Sequence, residues 1–199
     1  MVTPRLPTAQ RRRQIADAAL RLLADAGVAG LTLVELGRAV GLSDASVLRH
    51  FKDKPAIVEA AIERFGELLA EDLPTDIADP LRRLGAFFVR RLAKVRAHPE
   101  LMALAYDRRL RDAAGEAGTA RVDAHIGRSA RFVGACIDEA REQGAIGADV
   151  PTQMWVWIIA GLLRGASFAV PHGLGQDADL MLMSPERCWE LVERILRGA

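Results

Sequence analysis

Apolar residues return every three or four positions along almost the whole chain, and nowhere do β-branched residues alternate with polar ones as a half-buried strand requires. The chain therefore reads as all α. Ile15, Ala19, Leu22, Leu23 and Ala26 form one stripe that predicts a first helix over about 8–26, ended by Gly27 in the left-handed conformation. Thr32 and Glu35 spell a T-x-x-E capping box, so a second helix starts at Leu33 and stops at Gly41 after some eight residues. Ser43 caps a third short helix to about His50. Asp53 or Lys54 caps a fourth, where Pro55 is acceptable because first-turn amides have no intrahelical partner, and Ile57, Val58, Ala61, Ile62, Phe65 and Leu69 carry it to about Glu71.

Leu73-Pro74-Thr75-Asp76 interrupts the pattern and suggests two parts, 10–70 and 75–199. Helices are expected beyond it at about 80–97, 100–113, 119–143, 151–170 and 185–197, which makes about nine in all. Their boundary signals are Asp79-Pro80, His98-Pro99, Gly118-Thr119, Gly144, Asp149 to Pro151, Pro171 and Ser184-Pro185. Segment 171–183, with its close-set glycine and proline, reads as a loop.

Half of the 199 residues are hydrophobic and 27% are charged, which excludes disordered and fibrous classes. Cys136 and Cys188 lie far apart, without a CxxC or a histidine cluster, so neither a disulfide framework nor a zinc site is expected, and no metal or cofactor. The N-terminus has no apolar signal region, and the run Met154 to Leu163 stops at Arg164, too short for a bilayer. A cytoplasmic protein with no membrane partner is expected. Net charge is +1 overall, yet residues 1–54 hold nine cationic side chains against five carboxylates, a local +4 that leaves −3 for the rest. A polyanionic partner fits that asymmetry.

Helices two and three, TLVELGRAVGLSDASVLRHF, form a pair of short amphipathic helices joined through a glycine, the construction of a helix-turn-helix. Leu36, Val40, Leu42, Val47 and Phe51 face a small core. Ser43, Asp44, Ala45, Ser46, Leu48, Arg49 and His50 remain outside it, small and polar enough to approach a major groove. The stripe IxxAALRLLADAG, the TLxxLGRAVGLS segment and the ending LRHFKDK resemble the TetR (tetracycline repressor) family over about residues 10–70.

The resemblance implies double-stranded operator DNA as partner. Thr32 matches a helix-two cap that meets a phosphate, Ser43, Ala45, Ser46, Leu48, Arg49 and His50 match the recognition helix, and Lys54 matches a backbone-contacting lysine, with Asp44 and Lys52 lying among them. Leu48 stands where the family usually has tyrosine, and Asp44 is acidic where lysine or a neutral residue is common; both bear on which operator is read. Each position also has a plainer reading. Arg11-Arg12-Arg13 is as well explained by a solvated face as by phosphate contacts, His50 by a structural role, and Leu48 by burial against helix one.

In the C-terminal part, Phe88, Met102, Tyr106, Phe132, Cys136, Trp157 and Arg164 are candidates to line an effector pocket, against the alternative of ordinary core. Helix 151–170 is apolar almost all round, so something covers both its sides. By resemblance it pairs, together with the last helix, with the same helices of a second copy. Trp155, Ile159, Leu162, Trp189, Val192 and Leu196 would then make a four-helix homodimer interface. No catalytic residues are assigned: Gly165 to Ala169 imitates a nucleophile elbow but lies in a helix, and Gly173 to Ala178 imitates a dinucleotide fingerprint with no preceding strand. The expected function is a dimeric, ligand-responsive transcriptional regulator, a repressor released from a palindromic operator by a small molecule that enters the helix 5–8 bundle and shifts helix four. The competing reading is a helical binding protein or enzyme with a vestigial helix-turn-helix.

Overall fold

A computed structural model describes residues 6–106, 108–172 and 183–198. Among them the regular structure is entirely helical, as expected, in nine elements: α1 (Thr8–Gly30), α2 (Leu33–Val40), α3 (Asp44–Leu48), α4 (Lys54–Ala70), α5 (Pro80–Ala97), α6 (Glu100–Tyr106), α7 (Arg108–Glu142), α8 (Thr152–His172) and α9 (Pro185–Leu196). No helix among the described residues is long and apolar enough to cross a membrane. Most of the expected loop at 171–183, with the Gly173 to Ala178 motif, lies outside the described residues.

The chain forms two compact units. The first comprises Met1–Leu68 and Glu100–Ala124. In it α1 packs on α2 and α6, and Ile15, Leu20, Leu36, Val47, Phe65 and Leu104 are almost wholly withdrawn from solvent, each worth about 1.5–3 kcal/mol of burial. Gly27 does take a left-handed φ of 65°, but α1 resumes beyond this kink to Gly30. The expected boundary at Gly118-Thr119 falls instead at Gly115, whose φ of 70° and ψ of 176° kink α7. Gly118 stays helical, and a Cβ there would stand 2.8 Å from Ala114 Cβ and 3.0 Å from Ile62 Cδ1, so its bareness eases the approach of α7 to α4.

The second unit comprises Leu69–Pro99 and His125–Ala199. There α5 packs on α8 and α9. Gly85 admits Trp189, whose Nε1 would lie 2.5 Å from a Cβ at that position, and Phe88 meets the same indole at 5.7 Å between ring centroids. Asp72 and Arg91 are both buried and joined at 2.7 Å. Arg91 also donates to the Leu69 carbonyl at 2.6 Å, and Lys94 Nζ reaches Asp72 at 2.8 Å. A buried carboxylate is tolerable only with such partners.

Candidate nucleic-acid interface

The turn between α2 and α3 is fixed by backbone chemistry. Gly41 adopts a left-handed conformation (φ 67°, ψ 38°) that a side chain would strain, and it closes α2 by donating its amide to the Gly37 carbonyl. Leu42 N donates to that same oxygen at 2.8 Å. Gly37 is itself required here, because a Cβ would stand 2.5 Å from the Leu42 carbonyl oxygen. The Glu35 amide donates to Thr32 Oγ1 at 3.1 Å, one half of the expected capping box. The other half is replaced: the Thr32 amide donates to the Gly30 carbonyl, and the Glu35 carboxylate takes Arg38.

Ser43 Oγ caps α3 by accepting from the Ser46 amide at 3.3 Å. Val47 and Phe51 turn inward and are buried with Leu36 and Val40. That leaves Ser43, Asp44, Ala45, Leu48 and Arg49 exposed, with Ser46 and His50 partly so. Leu48 is 43% exposed, which removes the reading that buried it. The outer face is already ordered: Ser43 Oγ and Ser46 Oγ are 2.9 Å apart, and Arg49 Nη2 donates to Ser46 Oγ at 2.6 Å. A hydroxyl, a hydroxyl and a guanidinium thus run in line along the rod at three-residue steps. The guanidinium keeps most of its donors for a partner.

The arginine triplet separates into different roles. Arg11 is buried and bonded to Gln14 at 2.7 Å. Arg12 lies over the Phe51 ring, 4.2 Å from its centroid, and donates to the His50 carbonyl, so it clamps the end of α3 to α1. No property of the triplet in sequence distinguishes this clamp from a phosphate contact. Thr32 and Lys52 are exposed. Lys54 is half-buried, with its Nζ donating to the Val28 carbonyl at 2.6 Å, and Asp53 Oδ1 accepts from the Ala56 amide at 2.8 Å, which makes Asp53 the cap of α4.

The residues singled out as effector-lining fall in both units. Met102 and Tyr106 belong to the first unit, the former buried and the latter exposed. In the second unit Phe88 is buried against Trp189, and Phe132 meets Phe87 at 5.4 Å. Cys136 is buried with Arg83 Nε donating to its Sγ at 3.4 Å; burial pushes the thiol pKa up despite that contact. Trp157 (62% exposed) and Arg164 lie at the surface. Of the expected interface residues, Trp155, Ile159, Trp189, Val192 and Leu196 are buried within the chain itself, and Leu162 is exposed. The outward stripe of α8 is Met154, Trp157, Ile158 and Leu162, at helical spacing, and Ile195 projects from α9.

Residues 15–61 match the family described as "Bacterial regulatory proteins, tetR family". The chain is 31% identical over 94 residues to the HTH-type transcriptional regulator BetI of Cronobacter sakazakii, across 47% of this chain and 41% of that one. It is 32% identical over 105 residues to the nucleoid occlusion factor SlmA of Aliivibrio fischeri, across 51% and 53%. The chain thus spans about half the length of these curated relatives. In fold it is similar to AibR, solved in complex with isovaleryl coenzyme A and operator DNA, with a TM-score of 0.73 at 20% identity over 94% of this chain and 98% of that one. Residues 15–61, with the helix-turn-helix just described at their centre, are thus similar to the tetR family of bacterial regulatory proteins.

Proposed function

We propose that this chain is a homodimeric transcriptional regulator of the cytoplasm that acts by binding and not by catalysis, reading duplex DNA with the outer face of α3 and releasing it when a small molecule binds. The observation that carries the reading is the ordered Ser43–Ser46–Arg49 ladder on an exposed helix whose back is locked by Val47 and Phe51. An arginine on such a face is suited to guanine O6 and N7, and hydroxyls to phosphates or base edges. Thr32, Lys52 and Lys54 flank the helix as backbone contacts. The operator complex of AibR supports the same use of the fold.

Two readers must be held about one helical turn apart to engage successive major grooves, which calls for a symmetric pair. We assign the pairing surface to the outward stripe Met154, Trp157, Ile158 and Leu162 with Ile195. Large apolar side chains exposed along one helix, with another on α9, are otherwise costly in water. Release by an effector needs a coupling of only about 1–3 kcal/mol to change operator affinity roughly 5–150-fold.

The test is a binding titration on the DNA upstream of the protein's own gene across salt concentrations. Affinity should fall steeply, with a log–log slope near −0.9 per phosphate neutralised, and Lys54→Ala should reduce that slope by roughly one unit. Binding that is absent or indifferent to salt defeats the proposal.

A further inference from the structure

The first unit contains a groove of about 310 Å³ formed by the end of α1, the first turns of α4 and the stretch of α7 on either side of the Gly115 kink. That is the lower end of the size range for small-molecule sites. Its walls are apolar, from Val28, Val58, Ile62 and Ala114, and two cations, Lys54 and Arg121, stand on it against one carboxylate, Glu59.

Neither cation is used up. Lys54 Nζ donates to the Val28 carbonyl, one of its three N–H groups. Arg121 Nη1 donates to Glu59 Oε1 at 2.6 Å, which leaves the Nε–Nη2 edge, the fork that grips a carboxylate. We propose that this groove binds a small amphipathic carboxylate, its oxygens held by Lys54 and Arg121 and its alkyl body laid on Val58 and Ile62. The net positive charge excludes a cationic occupant, and the apolar walls favour an alkyl carboxylate over a bare phosphate.

The consequence rests on the regulator reading above. Lys54 there serves a DNA phosphate, so a carboxylate seated on it withdraws one cation from the DNA interface. The groove is a site of release within the DNA-binding unit itself, separate from any pocket in the second unit.

The full-length protein should be titrated by calorimetry with octanoate, with octanol and inorganic phosphate as controls. Octanoate should bind. Octanol and phosphate should each bind at least roughly tenfold more weakly, and Arg121→Gln should weaken octanoate roughly tenfold with an unchanged circular dichroism spectrum. In DNA titrations, saturating octanoate should lower the salt slope by about 0.9, one phosphate contact, in the parent protein and not in Lys54→Gln. Absent octanoate binding, octanol or phosphate binding as tightly, or full affinity in Arg121→Gln each overturns the site. An unchanged slope with octanoate bound overturns the link to release. A protein that fails to bind duplex DNA refutes the regulator reading instead, while the calorimetry still decides the groove.

Discussion

A single methyl group at Gly37 tests whether packing between α2 and the turn sets the attitude of α3. The added Cβ would stand 2.5 Å from the Leu42 carbonyl oxygen and 3.5 Å from Asp44 Oδ1. The first of these is backbone and cannot swing aside, because the Leu42 amide is bonded to the Gly37 carbonyl and Leu42 leads straight into the Ser43 cap. Replacing glycine by alanine inside an unobstructed helix stabilises by about 0.5–1 kcal/mol. Overpacking against a fixed neighbour costs about 1–3 kcal/mol. The clash outweighs the gain, so Gly37→Ala should lose up to about 2 kcal/mol, at roughly 2–4 °C of Tm per kcal/mol for a chain of this size. Gly134→Ala is the control: its nearest neighbour, Thr152 Cγ2, lies at 3.7 Å, an ordinary contact, so the variant should gain about 0.5–1 kcal/mol. Thermal melts followed by circular dichroism read the stability difference, and an operator titration reads the displacement of α3 as lost affinity. If Gly37→Ala melted higher, as Gly134→Ala should, and kept full operator affinity, the reasoning about this turn would be wrong.

Three further outcomes follow from the same geometry. Arg91→Ala leaves the Asp72 carboxylate buried with only Lys94 beside it and should cost about 3–5 kcal/mol in denaturant unfolding, much of it recovered when Asp72→Asn is added; a loss below 1 kcal/mol contradicts the network. Cys136 should resist iodoacetamide in the native protein, since burial raises its pKa and withholds the thiolate, whereas half-buried Cys188 reacts first; mass spectrometry of partly alkylated protein decides the order. Trp157→Glu places a charge in the proposed pairing stripe and should convert dimer to monomer in analytical ultracentrifugation, while a dimer that survives it moves the interface elsewhere.

The helix-turn-helix was legible because local chemistry writes it: Thr32 and Ser43 cap, Gly41 ends α2, and Val47 and Phe51 fall where a buried face needs them. Tertiary decisions were not. Gly115 and Gly118 are equivalent breakers in sequence, yet only Gly115 leaves helical geometry, while Gly118 stays helical where α7 meets Ile62 of α4. Along α8, apolar residues on every side leave the inward and outward faces undistinguished, so Trp155 and Trp157 exchange places only once the packing of α5 is known. Arg12 and Lys54 carry charges that suggest phosphates, yet each already spends a donor on a backbone carbonyl far along the chain. No spacing rule reveals such bonds.

The central claim is that the outer face of α3 reads base sequence, and Arg49 is the residue on which it turns. Affinities of the parent protein and Arg49→Ala should be measured on the upstream operator and on a random duplex of equal length at one salt concentration. A base-reading arginine predicts a loss of about 1–3 kcal/mol on the operator and little on random DNA. Equal losses on both duplexes, or none on either, would contradict it.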